Sequence, residues 1–131
     1  MKKIGIVIQA RMNSSRLSGK TLKLLDNKTL IEWIFNRLKK TKIKNIILAT
    51  GKSKKNLKLK TLCDRYNIIF FAGDEKNVLK RYYKVSKKYK LDAIIRICAD
   101  NPFVDSGEIN SLIESYKHSK GNKDYYFNHR N

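Results

Sequence analysis

The sequence predicts an α/β domain built on a largely parallel sheet, and three observations predict it. Four short apolar runs, at residues 4–8, 45–50, 68–71 and 93–98, lack polar alternation and read as strands buried on both faces. Amphipathic stripes of helical period lie between and after them. No internal repeat, low-complexity tract or Pro/Gly-rich linker interrupts the 131 residues, which therefore form one domain or one piece of a domain.

The elements follow in order. Ile4-Gly5-Ile6-Val7-Ile8 is the first strand, and its apolar run ends at Gln9. After a polar stretch, residues 22–27 run into a turn. Thr29 and Glu32 then form a capping box ahead of Ile31, Ile34, Phe35 and Leu38, an i, i+3, i+4, i+7 stripe that predicts the first helix. Asn45-Ile46-Ile47-Leu48-Ala49-Thr50 is the second strand. Leu59, Leu62, Cys63 and Tyr66 mark a second helix, and Ile68-Ile69-Phe70-Phe71 a third strand. Val78, Tyr82, Val85 and Tyr89 mark a helix begun near Asp74. Ala93 to Cys98 is the fourth strand, and Ile109, Leu112, Ile113 and Tyr116 mark a helix begun near Asp105 or Ser106. Residues 124–127 start one more strand.

Composition narrows the class. A hydrophobic fraction of 41% supports a real core and excludes wholesale disorder. Two cysteines, Cys63 and Cys98, make neither a disulfide framework nor a four-ligand zinc site, and they fit a reducing, cytoplasmic setting. The first apolar run is too short for a signal peptide, and no stretch approaches the ~20 residues needed to span a bilayer. The net charge of +19 invites a nucleic-acid reading. However, the basic residues are 23 Lys and only 7 Arg, beside 15 Ile and 12 Asn, a composition that follows A+T-rich codon bias. Arg is the residue that planar phosphate and base recognition favours. A solvated lysine surface, tolerant of anionic ligands, is expected ahead of a dedicated nucleic-acid face, and a basic nucleic-acid-binding module stands as the alternative reading.

In parallel sheets ligands bind beyond the carboxyl ends of the strands, which singles out residues 9–20, 50–55 and 98–105. Residues 9–20 carry Arg11, Arg16 and Lys20 among small polar residues that include Asn13, Ser14, Ser15 and Ser18. Small residues let backbone N–H groups approach phosphate oxygens while the cations neutralise them, so this stretch is expected to bind phosphate. Gly19-Lys20-Thr21 matches the end of a P-loop, but the required first glycine falls at Ser14 and no long helix follows. The dinucleotide fingerprint G-x-G-x-x-G is absent.

Gln9-Ala10-Arg11-Met12-x-Ser14-x-Arg16-Leu17-x-Gly19-Lys20, after its apolar strand, resembles the opening of the cytidylyltransferases of the spore-coat polysaccharide biosynthesis type. These are relatives of the enzymes that activate ketodeoxyoctulosonate and acylneuraminate as CMP-sugars. The similarity continues at residues 47–50, at Gly73-Asp74 through Val78-Leu79-x-Arg81-Tyr82-Tyr83, and at Arg96 to Pro102. The resemblance implies a Rossmann-like nucleotide-diphospho-sugar transferase sandwich, of which residues 1–131 form the N-terminal, nucleotide-binding part with the family's C-terminal portion absent. It implies transfer of a cytidylyl group from CTP to a sugar or sugar acid, with Mg²⁺ and release of pyrophosphate. Arg11, Arg16 and Lys20 would hold the triphosphate as catalytic residues. Ala10, Asn13, Ser14, Ala49 and Thr50 would line the nucleotide, with Arg81 in reach of it. Asn13, Ser18 and Asn77 stand where the family more often has Gly, Pro and Asp.

Asp100 follows the fourth strand at the same sheet edge and suits Mg²⁺, which takes one or two carboxylates beside phosphate oxygens and water. Asp105 is the helix cap instead. The resemblance places a second metal carboxylate and much of the acceptor pocket in the absent portion. An unpaired strand near residues 124–127 would then favour homo-oligomers. Arg81 is read as nucleotide-binding or solvated, Cys98 as a small buried residue, His118 as a surface residue, and Trp33, Tyr82 and Tyr83 as packing.

Overall fold

A computed structural model describes residues 3–10, 24–52, 56–74, 76–99 and 104–118. The strand β1 (Ile4–Gln9) is followed by the two-residue strands β2 (Leu24–Leu25) and β3 (Lys28–Thr29), then by helix α1 (Leu30–Leu38) and strand β4 (Asn45–Gly51). Helix α2 (Leu57–Tyr66), strand β5 (Ile69–Gly73), helix α3 (Val78–Lys88), strand β6 (Ala93–Cys98) and helix α4 (Ser106–His118) complete the order. The main sheet runs β5-β4-β1-β6 with every pairing parallel, the arrangement the apolar runs predict. Several boundaries differ from those the sequence predicts. β1 and β4 each run one residue further, the third strand covers Ile69–Gly73, and the helix expected near Asp74 begins at Val78. The strand expected at 124–127 lies outside the described residues.

Period-two alternation divides β1 between two cores. Ile4, Ile6 and Ile8 join Ile46, Leu48 and residues of α1, α2 and α4 in the larger core. Val7 joins Ile47, Ala49, Tyr82 and Val85 in the smaller core under α3. The chain steps outward from β1 to β4 to β5, then crosses back by α3 to place β6 on the other side of β1. That reversal beside the central strand is the switch point at which such sheets open a crevice. Gly5 permits the close approach of this layer: a Cβ there would meet Leu91 Cδ1 at 2.6 Å.

Local chemistry fixes the connections. Asp26 and Asn27 both take positive φ, 51° and 67°, and join β2 to β3 in a two-residue hairpin. Thr29 caps α1: its side chain accepts from Glu32 N at 3.2 Å, and Glu32 Oε1 accepts from Thr29 N, also at 3.2 Å. Tyr66, at the end of α2, donates to Glu32 Oε2 at 2.6 Å and ties the two helices together.

The hydrogen bond from Tyr66, with those from Thr29, holds the Glu32 carboxyl below its ordinary value of 4.5. A carboxylate depressed on folding adds stability at pH values above its unfolded pKa, and that stability is lost as pH falls through the folded value. Tyr66→Phe should therefore cost about 1.5 kcal/mol at pH 7, and less below pH 4. Urea midpoints of both proteins at pH 7 and pH 3.5 check this; an equal difference at both pH values would refute it.

Candidate functional site

The carboxyl ends of β4, β1 and β6 stay joined one residue beyond β1. Ala10 N donates to Ala49 O at 3.2 Å, and Ala99 N donates to Gln9 O at 3.1 Å. The chain therefore leaves β1 from the middle of the sheet, between two supported neighbours, at the position that parallel sheets reserve for ligands. Ala10 and Ala49 are buried and small, so a ligand can approach the backbone there. Thr50 is fully buried, and its Oγ1 has no hydrogen-bond partner among the described residues. A buried hydroxyl left so costs about 1–3 kcal/mol, which suits this group to a ligand. Behind it, Asn56 Nδ2 donates to Gly51 O at 2.9 Å and fixes the start of the following loop.

At the end of β5, Gly73 lets α3 close on the strand. A Cβ there would lie 2.7 Å from Phe71 Cε1 and 3.1 Å from Arg81 Cγ. Arg81 is only 1% exposed, so its stem is part of the packing and the solvated reading is corrected. Asp74 accepts from Lys76 N at 3.0 Å and Asn77 N at 2.8 Å, and these backbone donors lower its pKa. Asn77 caps α3 by accepting from Lys80 N at 3.0 Å, a task for which an amide oxygen suffices. Asp105 accepts from Gly107 N at 2.7 Å and takes the capping role expected of it.

On the α3 side of the sheet the register aligns Val7 with Arg96 and Gln9 with Cys98. Arg96 and Cys98 are exposed, so Cys98 is not the small buried residue the sequence suggests. The reason is placement: α3 packs over β4 and β5 and leaves this end of β6 open. The Arg96 guanidinium lies 4.8 Å from the Tyr82 ring centroid, within cation–π range. The Tyr82 hydroxyl donates to Gln9 Oε1 at 3.1 Å. Tyr83, read as packing, is 60% exposed. The buried thiol is Cys63, whose pKa burial pushes up to about 12.

Of the residues nominated from sequence, the structure places Ala10, Ala49 and Thr50 at one edge, with Arg81 behind the end of neighbouring β5. Arg11, Asn13, Ser14, Arg16, Lys20 and Asp100 lie outside the described residues. Among the described residues no group of three or more His, Cys, Asp or Glu could hold a metal. No helix among them is long and apolar enough to cross a membrane. The Gln9–Tyr82 pair escaped the sequence reading, although a glutamine ending an otherwise apolar strand was its one visible signal.

A parallel sheet with helices on both faces, reversing beside a central strand that leads into a basic, small-residue segment, defines an α/β domain of the nucleotide-binding class. Residues 5–130 match the family described as cytidylyltransferase, and the chain belongs to that family. The spore coat polysaccharide biosynthesis protein SpsF of Bacillus subtilis is 33% identical over 121 residues, covering 88% of this chain and 50% of that protein. The 3-deoxy-manno-octulosonate cytidylyltransferase of Fusobacterium nucleatum is 36% identical over 129 residues, covering 92% and 48%. A cytidylyltransferase structure from Leptospira borgpetersenii superposes with a TM-score of 0.89 at 29% identity, covering 92% of this chain and 51% of its own. The structure of a CMP:2-keto-3-deoxy-manno-octonic acid synthetase complexed with CTP shares the fold, with a TM-score of 0.79 at 21% identity, covering 91% and 49%. The chain spans about half the length of the curated relatives it matches.

Proposed function

We propose that this chain carries the nucleotide-binding part of a CTP-dependent nucleotidyltransferase, which moves a cytidylyl group to a sugar or sugar acid and releases pyrophosphate. The observation that carries the reading is the family match over residues 5–130, within which the Gln9-to-Lys20 motif leaves the central strand at the sheet's carboxyl edge. The cytidylyltransferase relative and the CTP complex of a protein sharing the fold support cytosine as the base.

In this reading Ala10, Asn13, Ser14, Ala49 and Thr50 line the nucleotide, and Thr50 Oγ1 gains its missing hydrogen bond there. Arg11 holds the phosphates, while Arg16 and Lys20 neutralise the departing pyrophosphate. Arg81 adds positive charge from behind Gly73. Catalysis is positioning and charge neutralisation: the acceptor oxygen is held in line with the α-phosphorus while donors meet the charge that develops on the leaving group. Asp100 would be the protein ligand of Mg²⁺, which when bound would further neutralise the phosphate oxygens.

Thermal shift of the 131-residue chain against CTP, UTP, ATP and GTP, with and without Mg²⁺, tests the proposal. Mg²⁺-dependent stabilisation by CTP is expected, about 2.7 kcal/mol at a hundredfold excess over Kd. Preference for ATP would favour a P-loop-like site instead. The +19 charge favours a second reading as a nucleic-acid module. Duplex DNA affinity falling with salt at a slope near −0.9 per phosphate contact, without nucleotide binding, would establish that alternative.

A further inference from the structure

Gln9 closes β1 in the register of Ala49 on one side and Cys98 on the other, as the first residue of the segment read as the phosphate loop. A carboxamide carries an acceptor at its oxygen and two donors at its nitrogen, so its orientation decides which a ligand meets. Here the oxygen is engaged by the Tyr82 hydroxyl at 3.1 Å. Tyr82 is itself held: the residue is 8% exposed in the core beneath α3, and the Arg96 guanidinium lies 4.8 Å from its ring centroid. The positive charge of Arg96 over that ring opposes turning the amide's positive hydrogens toward the phenol. The NH₂ group is thus the end left to address a ligand. The rest of the strand, Ile4 to Ile8, is apolar, and its packing does not call for a carboxamide at position 9.

We propose that Gln9 is a specificity-determining residue of the nucleotide site, its NH₂ group, oriented through Tyr82 and Arg96, donating to the pyrimidine ring; this rests on the CTP reading above. Cytosine presents acceptors at both O2 and N3, whereas uracil carries a hydrogen at N3. A donor addressing N3 therefore distinguishes the two bases, and exchanging it for an acceptor reverses the match.

Calorimetric titration of the full 131-residue chain with CTP and with UTP, both in Mg²⁺, provides the test. The readout is the ratio of the two dissociation constants, from which any uniform effect on triphosphate binding or folding cancels. The wild-type chain should prefer CTP about tenfold, the scale of one well-made hydrogen bond in a binding site. Gln9→Glu can still accept from Tyr82 but offers no NH₂, so the preference should fall at least about tenfold, to parity or toward UTP. Tyr82→Phe keeps the ring beneath Arg96 and frees the carboxamide to turn, so the preference should fall about threefold. A wild-type chain that prefers CTP, with an unchanged ratio in both variants, would overturn this inference while leaving the CTP reading intact. A wild-type chain that binds neither nucleotide would overturn both.

Discussion

Arg16→Ala combined with Lys20→Ala should lower the affinity for Mg²⁺-CTP by about 10²–10⁴-fold. Each side chain is assigned a charge-assisted contact to phosphate oxygens, and such contacts contribute about 1.5–3 kcal/mol apiece. The effect on folding should be small, because substitutions in a polar connecting segment usually change stability by about ±0.5 kcal/mol. Titration with CTP beside thermal melting of the ligand-free chain separates the two quantities. Parallel loss of both would make the pair structural and remove the phosphate assignment. Arg16→Lys should retain more binding than Arg16→Ala, yet less than wild type, because an ammonium keeps the charge but lacks the planar fork.

Phe35→Ala should destabilise the fold by about 3–5 kcal/mol, the range for deleting a buried aromatic ring. Phe35 is fully buried in the larger core, and its centroid lies 5.6 Å from that of Tyr66 with the planes at 57°. Removing it takes away that support from the tyrosine that bonds Glu32, so a cavity and a loosened hydrogen bond coincide. Domains are stable by only about 5–15 kcal/mol, so the loss is a large share of the total. A urea midpoint that falls with an unchanged slope is the expected result. A cost under about 1 kcal/mol would mean that the site collapses around the vacancy, and that the α1–α2 contact matters little. Adding CTP should recover part of the stability by linkage if the chain binds it.

Much of this molecule is written locally. Apolar runs without alternation predict strands buried on both faces, and β1 and β4 are just that, each placing residues in two cores. The capping box of Thr29 and Glu32 predicts the start of α1 to the residue, because both partners lie within one turn. Residues 9–20 are legible as a phosphate-binding candidate because position after a first strand, small residues and cations are all sequence properties. The Gln9-to-Lys20 motif likewise carries the family without any coordinates.

Tertiary structure alone decides what depends on which helix covers which strand. Residues 93–98 look as buried as residues 4–8, but α3 crosses over β4 and β5, so Arg96 and Cys98 stand exposed on β6. Arg81 reads from the sequence as nucleotide-binding or solvated, and only the approach that Gly73 permits makes it a buried cation. The hydrogen bond between Gln9 and Tyr82 joins residues 73 positions apart. No window of the sequence contains both partners. The parallel crossover brings them together, so hydrophobic period and capping chemistry determine the elements, while crossover topology determines which polar groups meet at the edge where a nucleotide would bind.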